Sequence, residues 1–156
     1  MAAIPGKNKQ EIGTTLSYDD TGGVARDLSC DIVPGSLSIN GITYEEINFT
    51  GICNAVENYA AGRGKLEIAC QFYMNDTAST GAWNVIKAQN GARTSTGYTL
   101  TIAMGSAGQA PASGDPELEG EFGAYIQGNT ISGGAWVFNV KFLPNSSTAP
   151  AWDTVA

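Results

Sequence analysis

In the stretch Leu66-Glu-Ile-Ala-Cys-Gln-Phe72 every second residue is apolar, which puts Leu66, Ile68, Cys70 and Phe72 on one face and Glu67, Ala69 and Gln71 on the other. A one-residue slip in pairing would exchange the two faces, so such a segment commits the chain to a sheet with one buried side and fixes its register. The same period recurs along the chain. Ile12, Leu16 and Tyr18 share one parity, and Leu28, Cys30 and Ile32 alternate with Ser29 and Asp31 until Pro34-Gly35 stops the run. Ser36 to Ile39 continues beyond that corner, and Thr43 to Thr50 alternates less cleanly. Tyr98, Leu100, Ile102 and Met104 alternate with Thr99, Thr101 and Ala103. Leu118, Gly120, Phe122, Ala124 and Ile126 then line one face, Gly128-Asn129 begins a turn, and Trp136, Phe138, Val140 and Phe142 line a face of the segment from Ile131 to Leu143. The last two read as a long antiparallel hairpin that Pro144 ends.

One segment has helical spacing instead. From Thr80 to Asn90, Trp83 and Ile86 fall on one side, Ser79 or Thr80 can cap the first N–H groups, and Gly91 stands where a helix commonly ends. A helix this short is not stable through propensity and needs Trp83 to pack on a sheet. The expected fold is therefore mainly β: a β-sandwich or rolled antiparallel sheet of about seven strands with one short flanking α-helix at about 80–90. The chain divides into a polar N-terminal arm over 1–11, a single β domain over 12–143 and a C-terminal tail over 144–156 that is polar apart from Trp152. The stretch 51–64, with glycines at 51, 62 and 64, reads as a long loop and a candidate contact segment.

With 156 residues the chain has the length of one domain. It carries 8 basic and 15 acidic residues, a formal charge of -7, and no histidine. The missing histidine removes Ser/His/Asp and Cys/His catalysis and imidazole zinc sites, and no nucleophile–base pair replaces them, so an enzyme is not expected. The acidic excess opposes nucleic-acid binding by phosphate neutralisation. No apolar run approaches 18 residues, so no membrane insertion is expected. The N-terminus lacks the apolar core of a secretory signal, which places the chain in the cytoplasm when it folds. Cys30, Cys53 and Cys70 have no Cys-x-x-Cys spacing and read as packing residues, and neither a metal nor a cofactor is expected.

Among the acids, Asp19-Asp20 and Glu45-Glu46 are adjacent pairs that read as solvated surface. Glu117, Glu119 and Glu121 are different, because period-2 spacing puts three carboxylates on one face of one strand, opposite Leu118, Phe122 and Ile126. That stripe is either a solubilising outer face or a face turned toward something to be repelled. Trp83, Trp136 and Trp152 could instead serve a ligand- or carbohydrate-binding sandwich as stacking platforms, although Trp83 and Trp136 fall on apolar faces and read as core.

Taken in order, the arm running into Ile12-Gly-Thr-Thr-Leu16, the strand Leu66 to Tyr73, the segment Thr80-Gly-Ala-Trp-Asn-Val-Ile86 and the closing hairpin Glu119-Gly-Glu-Phe-Gly-Ala-Tyr125 and Trp136-Val-Phe-Asn-Val-Lys-Phe142 resemble the tail tube (major tail) proteins of long-tailed bacteriophages. The resemblance covers roughly residues 10–143 in element order and size. It implies a structural virion subunit, assembled in the host cytoplasm, that forms hexameric rings through edge-strand pairing. Stacked rings would make a tube whose lumen conducts DNA without binding it and holds the tape-measure protein, with neighbouring tail proteins as further partners. Under this resemblance Glu117, Glu119 and Glu121 face the lumen or its rim, while the arm, the 51–64 loop and the tail supply inter-subunit contacts through Ile4, Pro5, Cys53, Val56, Tyr59, Arg63 and Trp152. Another virion component, such as a capsid decoration or tail-completion protein, is the alternative within the same setting. Charged residues make up only 15% of the chain against about 25% in typical domains, which suits surface covered by neighbouring copies.

Overall fold

The computed structural model describes residues 9–53, 55–57, 59–91, 98–106, 108–145 and 150–156. Within them the chain forms β1 (Lys9–Asp19), β2 (Ala25–Asp27), a 3-10 turn (Ser29–Asp31), β3 (Ser38–Asn48), β4 (Tyr59–Tyr73), α1 (Ala82–Gln89), β5 (Tyr98–Ser106), β6 (Pro116–Ser132), β7 (Ala135–Pro144) and β8 (Ala151–Thr154). The strands pair antiparallel in the order β2-β1-β5-β6-β7-β4-β3, with β8 on β6. The mainly β architecture with one short helix is thus the one the alternation predicts.

The sheet rolls on itself. Tyr18 of β1 meets Phe142 of β7 edge to face at 5.2 Å, and its hydroxyl donates to the Phe122 carbonyl of β6 at 2.7 Å, although two strands separate β1 from β7 in the sheet. The chain leaving β2 then reaches β4, where Ile32 bridges to Phe72 and the Val33 N–H donates to the Gln71 carbonyl at 2.8 Å. Inside the roll, Leu16, Ile68, Phe72, Leu100, Ile102 and Phe142 are fully or almost fully buried, as the period-2 pattern requires. Strand β6 joins the two halves. Its first half pairs with β5 from Tyr98↔Phe122 to Ala103↔Glu117, and its second half pairs with β7 from Phe122↔Pro144 to Ser132↔Ala135.

Helix α1 closes one side, burying Ala82, Val85 and Ile86, with the Trp83 ring edge-on to Phe138 at 5.2 Å. Neither Ser79 nor Thr80 caps it. The N-cap is Gly81, and the Ala82 N–H donates to the carboxylate of Asp31 at 3.0 Å, across 51 residues of sequence. That carboxylate also accepts from the Asn75 amide at 3.0 and 3.1 Å, so an anion from the 3-10 turn stands at the positive end of the helix. Gly91 follows with φ +68, the left-handed position that ends many helices.

Further expectations change, among them the reading of Cys30 and Cys53 as packing residues, since both are exposed and only Cys70 is buried. Leu28, Cys30 and Ile32 do not form a strand: Asp27 accepts the Ser29 N–H at 2.9 Å, and the Ser29 hydroxyl accepts the Leu16 N–H at 2.9 Å, so side chains take the bonds a ladder would use. The turn placed at Gly128-Asn129 lies at Gly133-Gly134, whose φ values of +59 and +84 suit a two-residue hairpin turn with both central residues left-handed. Gly128 instead marks a bulge, because the pairing slips between Ile126↔Val140 and Gly128↔Asn139. Of the stretch 51–64, the residues from Tyr59 onward belong to β4 and pair with β3, from Asn48↔Tyr59 to Tyr44↔Gly64. The tail, finally, contains β8.

Candidate assembly surfaces

Three surfaces offer more than a solvated exterior. The first is acidic and grows directly from the strand registers. Glu117, Glu119 and Glu121 lie on the outward parity of β6, while Leu118 and Phe122, on the other parity, are buried. Pairing extends that parity sideways: Glu119 stands opposite Thr101 of β5, which stands opposite Ser17 of β1, which stands opposite Asp27 of β2. On the other flank Glu117 pairs with Asp153 of β8 and Glu119 with Ala151. Asp19 closes the row beside Thr99, which bonds it and stands opposite Glu121. Six carboxylates thus share one face with hydroxyls, and no Lys or Arg occupies these rows. None of the six takes part in the ion pairs found among the described residues, which join Lys9 to Asp115, Arg26 to Asp20, and Lys65 and Lys141 to Glu67. Partial burial raises the Asp19 carboxyl above the ordinary carboxylate range, with the charge of Asp20 adding to it.

The second surface is the far end of the β3–β4 hairpin. Phe49, Ile52 and Val56 are strongly exposed there, and Ile47 and Tyr59 more than a third exposed. Cys53 is exposed at the same tip, and the Tyr59 hydroxyl donates to Glu57 at 2.5 Å.

The third is a groove at the base of that hairpin, where the roll fails to close between β1 and the segment 34–39. Two adjoining hollows of about 450 and 290 Å³ make it up, with Leu37, Glu11 and Thr14 common to both. Ile39, Ile102 and Met104 supply the floor of the larger one. The Glu11 carboxylate crosses the groove to accept the Gly35 N–H, and Lys9 at its edge is paired with Asp115. The groove owes its shape to a bulge in β1, where pairing with β5 slips between Gln10 and Thr15. Gly13 sits in the bulge at φ +96, and a Cβ there would stand 2.2 Å from the Gln109 carbonyl oxygen, so only glycine fits.

The residues expected to make contacts fall as follows. Cys53, Val56 and Tyr59 come together at the hairpin tip. Trp152 lies on β8 opposite Leu118, about half exposed and away from that tip. Arg63 falls within β4, but its side chain, like Ile4 and Pro5, lies outside the described residues. Phe49 and Ile52 were missed as contact residues, although the signal was present in two large apolar side chains beside Gly51 in a polar neighbourhood. Phe138, Val140 and Phe142 are buried as expected, but Trp136, of the same parity, is 57% exposed, because it stands next to the hairpin turn, opposite exposed Ile131 and beyond the edge of the core. Among the described residues no group of three His, Cys, Asp or Glu side chains is placed to hold a metal ion, and no helix is long and apolar enough to cross a membrane.

No protein-family model and no curated protein matches the sequence. Among solved structures, a chain of an extracellular contractile injection system, the PVC sheath-tube complex in its extended state, is similar in fold: TM-score 0.58 over 97% of this chain and 95% of that one, at 11% identity. The likeness runs from end to end, so the protein shares a whole fold with a chain of that complex.

Proposed function

We propose that this protein is a non-enzymatic subunit of a phage tail tube, assembling into hexameric rings that stack around a DNA-conducting lumen. The observation that carries the reading is the end-to-end fold likeness to a chain of a sheath-tube complex. The acidic face supports it on independent physical grounds. A ring of six copies would carry six times -7, or -42, and carboxylates lining a bore repel phosphates, so DNA passes without sticking. In this reading Glu117, Glu119, Glu121 and Asp153 face the lumen, the tape-measure protein occupies it before ejection, and neighbouring tail proteins cap the stack. The site of action is the virion tail, with assembly in the host cytoplasm.

Negative-stain electron microscopy of the purified, concentrated protein tests this. Six-fold rings or tubes are expected. Dispersed monomers at every concentration and ionic strength tried would refute it.

A further inference from the structure

We infer that the tip of the β3–β4 hairpin of one copy seats in the apolar groove at the hairpin base of a second copy, a head-to-tail contact that rests on the tube reading and says how one copy grips the next. An exposed cluster such as Phe49, Ile52 and Val56 is what monomeric soluble proteins rarely leave uncovered. The groove has the matching chemistry. Its walls are Leu37, Ile39, Ile102 and Met104, and its two charged groups already have partners, Glu11 with the Gly35 N–H and Lys9 with Asp115. An apolar occupant that packs on these walls therefore leaves the Lys9–Asp115 pair intact and Glu11, which is exposed, in contact with water.

The occupant comes from another copy because of where β3 runs. Ile39 lies in the groove and Phe49 at the tip, ten positions further along one extended strand, a span of about 33 Å. A hairpin cannot bend back over its own base across that distance, so the tip reaches only the groove of a neighbour. Equivalent points of two joined copies are then separated by roughly that same 33 Å. Each copy offers one tip and one groove, so the contact is heterologous and continues from copy to copy instead of stopping at a pair.

The chain carries its own reporters. Cys53 is exposed at the tip, and Cys30 is exposed between Ser29 and Ile32, both of which line the groove, while Cys70 is buried and its thiol is pushed up to about 12 by burial. Treatment of the wild-type protein with a short bismaleimide is expected to give a ladder of covalent multimers on denaturing gels, and Cys30→Ser and Cys53→Ser are each expected to abolish it. A product that stops at dimers and survives Cys30→Ser would mean tip against tip and overturn the proposal. In parallel, Ile52→Asp alters a fully exposed side chain and is expected to raise the concentration needed for assembly tenfold or more. Leu37→Ser, checked for an unchanged thermal midpoint, is expected to do the same, and a mixture of the two variants should form a one-to-one complex by sedimentation. Assembly of Ile52→Asp at wild-type concentrations overturns the contact and leaves the tube reading intact. A ladder without rings or tubes sustains the contact and refutes the tube.

Discussion

Single side chains do much of the positioning in this fold, and Asp31 is the clearest case. Its carboxylate accepts the Ala82 N–H and both contacts from the Asn75 amide, linking the turn after β2 to the start of α1. Asp31→Ala removes a helix cap and leaves these donors unpaired, so a loss of about 1–2 kcal/mol is expected, read as a lower urea midpoint with unchanged slope. Acid sensitivity has an equally local origin. Asp20 is held below the ordinary carboxylate range by the Val24 N–H, then by Arg26 and the Gly22 N–H, and Asp115 by the Ala112 N–H and Lys9. Both stabilise the fold above the unfolded value of about 3.9, and that stabilisation disappears as the pH falls through their lower folded values. Asp19, raised by desolvation, runs the other way: its contribution is present below the unfolded value and fades as the pH rises through its higher folded one. In Asp20→Asn the turn keeps an oxygen acceptor but loses the titration, so its thermal midpoint should differ from wild type at neutral pH and converge with it as the pH drops below about 4.

At the scale of elements, the β6–β7 hairpin depends on two consecutive left-handed residues, Gly133 and Gly134. Replacing the pair by Ala-Ala should cost about 1–2 kcal/mol per strained residue, whereas Asn-Gly should be close to neutral, a contrast that thermal unfolding of the two variants measures directly. The same hairpin shows where alternation stops being readable. Leu66 to Phe72 reports a buried face faithfully because its large apolar side chains alternate with polar or small ones on an uninterrupted ladder with β7. In β6 a single bulge at Gly128 shifts the pairing, and the sequence marks a bulge and a turn with the same residue type, so the turn was expected five residues early; Trp136 keeps the parity of buried Phe138 but lies at the turn end of the hairpin, past the core, which alternation does not report. Tyr59 to Gly64 was hidden for a related reason: alanine and glycine carry no period, and only the pairing with β3 identifies a strand there. β8 escaped because none of its four residues is buried, which leaves backbone bonds to β6 to hold it. The carboxylate stripe on β6 was legible, but its extension to Asp19, Asp27 and Asp153 was not, since that depends on which strands stand side by side.

For the whole molecule, the separation of acidic face, apolar tip and apolar groove means that electrostatics and burial act on assembly in opposite directions. Copies with a charge of -7 repel one another, and salt screens exposed charge over roughly 10 Å at 0.1 M while strengthening apolar association little at that concentration. Assembly is therefore expected to rise between low and moderate ionic strength, and the triple change Glu117→Gln, Glu119→Gln and Glu121→Gln should lower the salt needed severalfold, as followed by light scattering. Unchanged salt dependence in that variant would place the stripe away from any meeting of copies.

The position of β8 also decides where a passenger can be attached. Residues 151–154 lie along β6, with Asp153 beside Glu117 and Ala151 beside Glu119, and Val155 continues into bonds with Gly114 and Asp115. A fluorescent protein inserted just after β8 would stand at the end of the carboxylate row, beside Glu117 and Asp153. If those carboxylates line a bore, the cargo has no room inside it, and fusions should block tube formation in proportion to their bulk while a short epitope is tolerated.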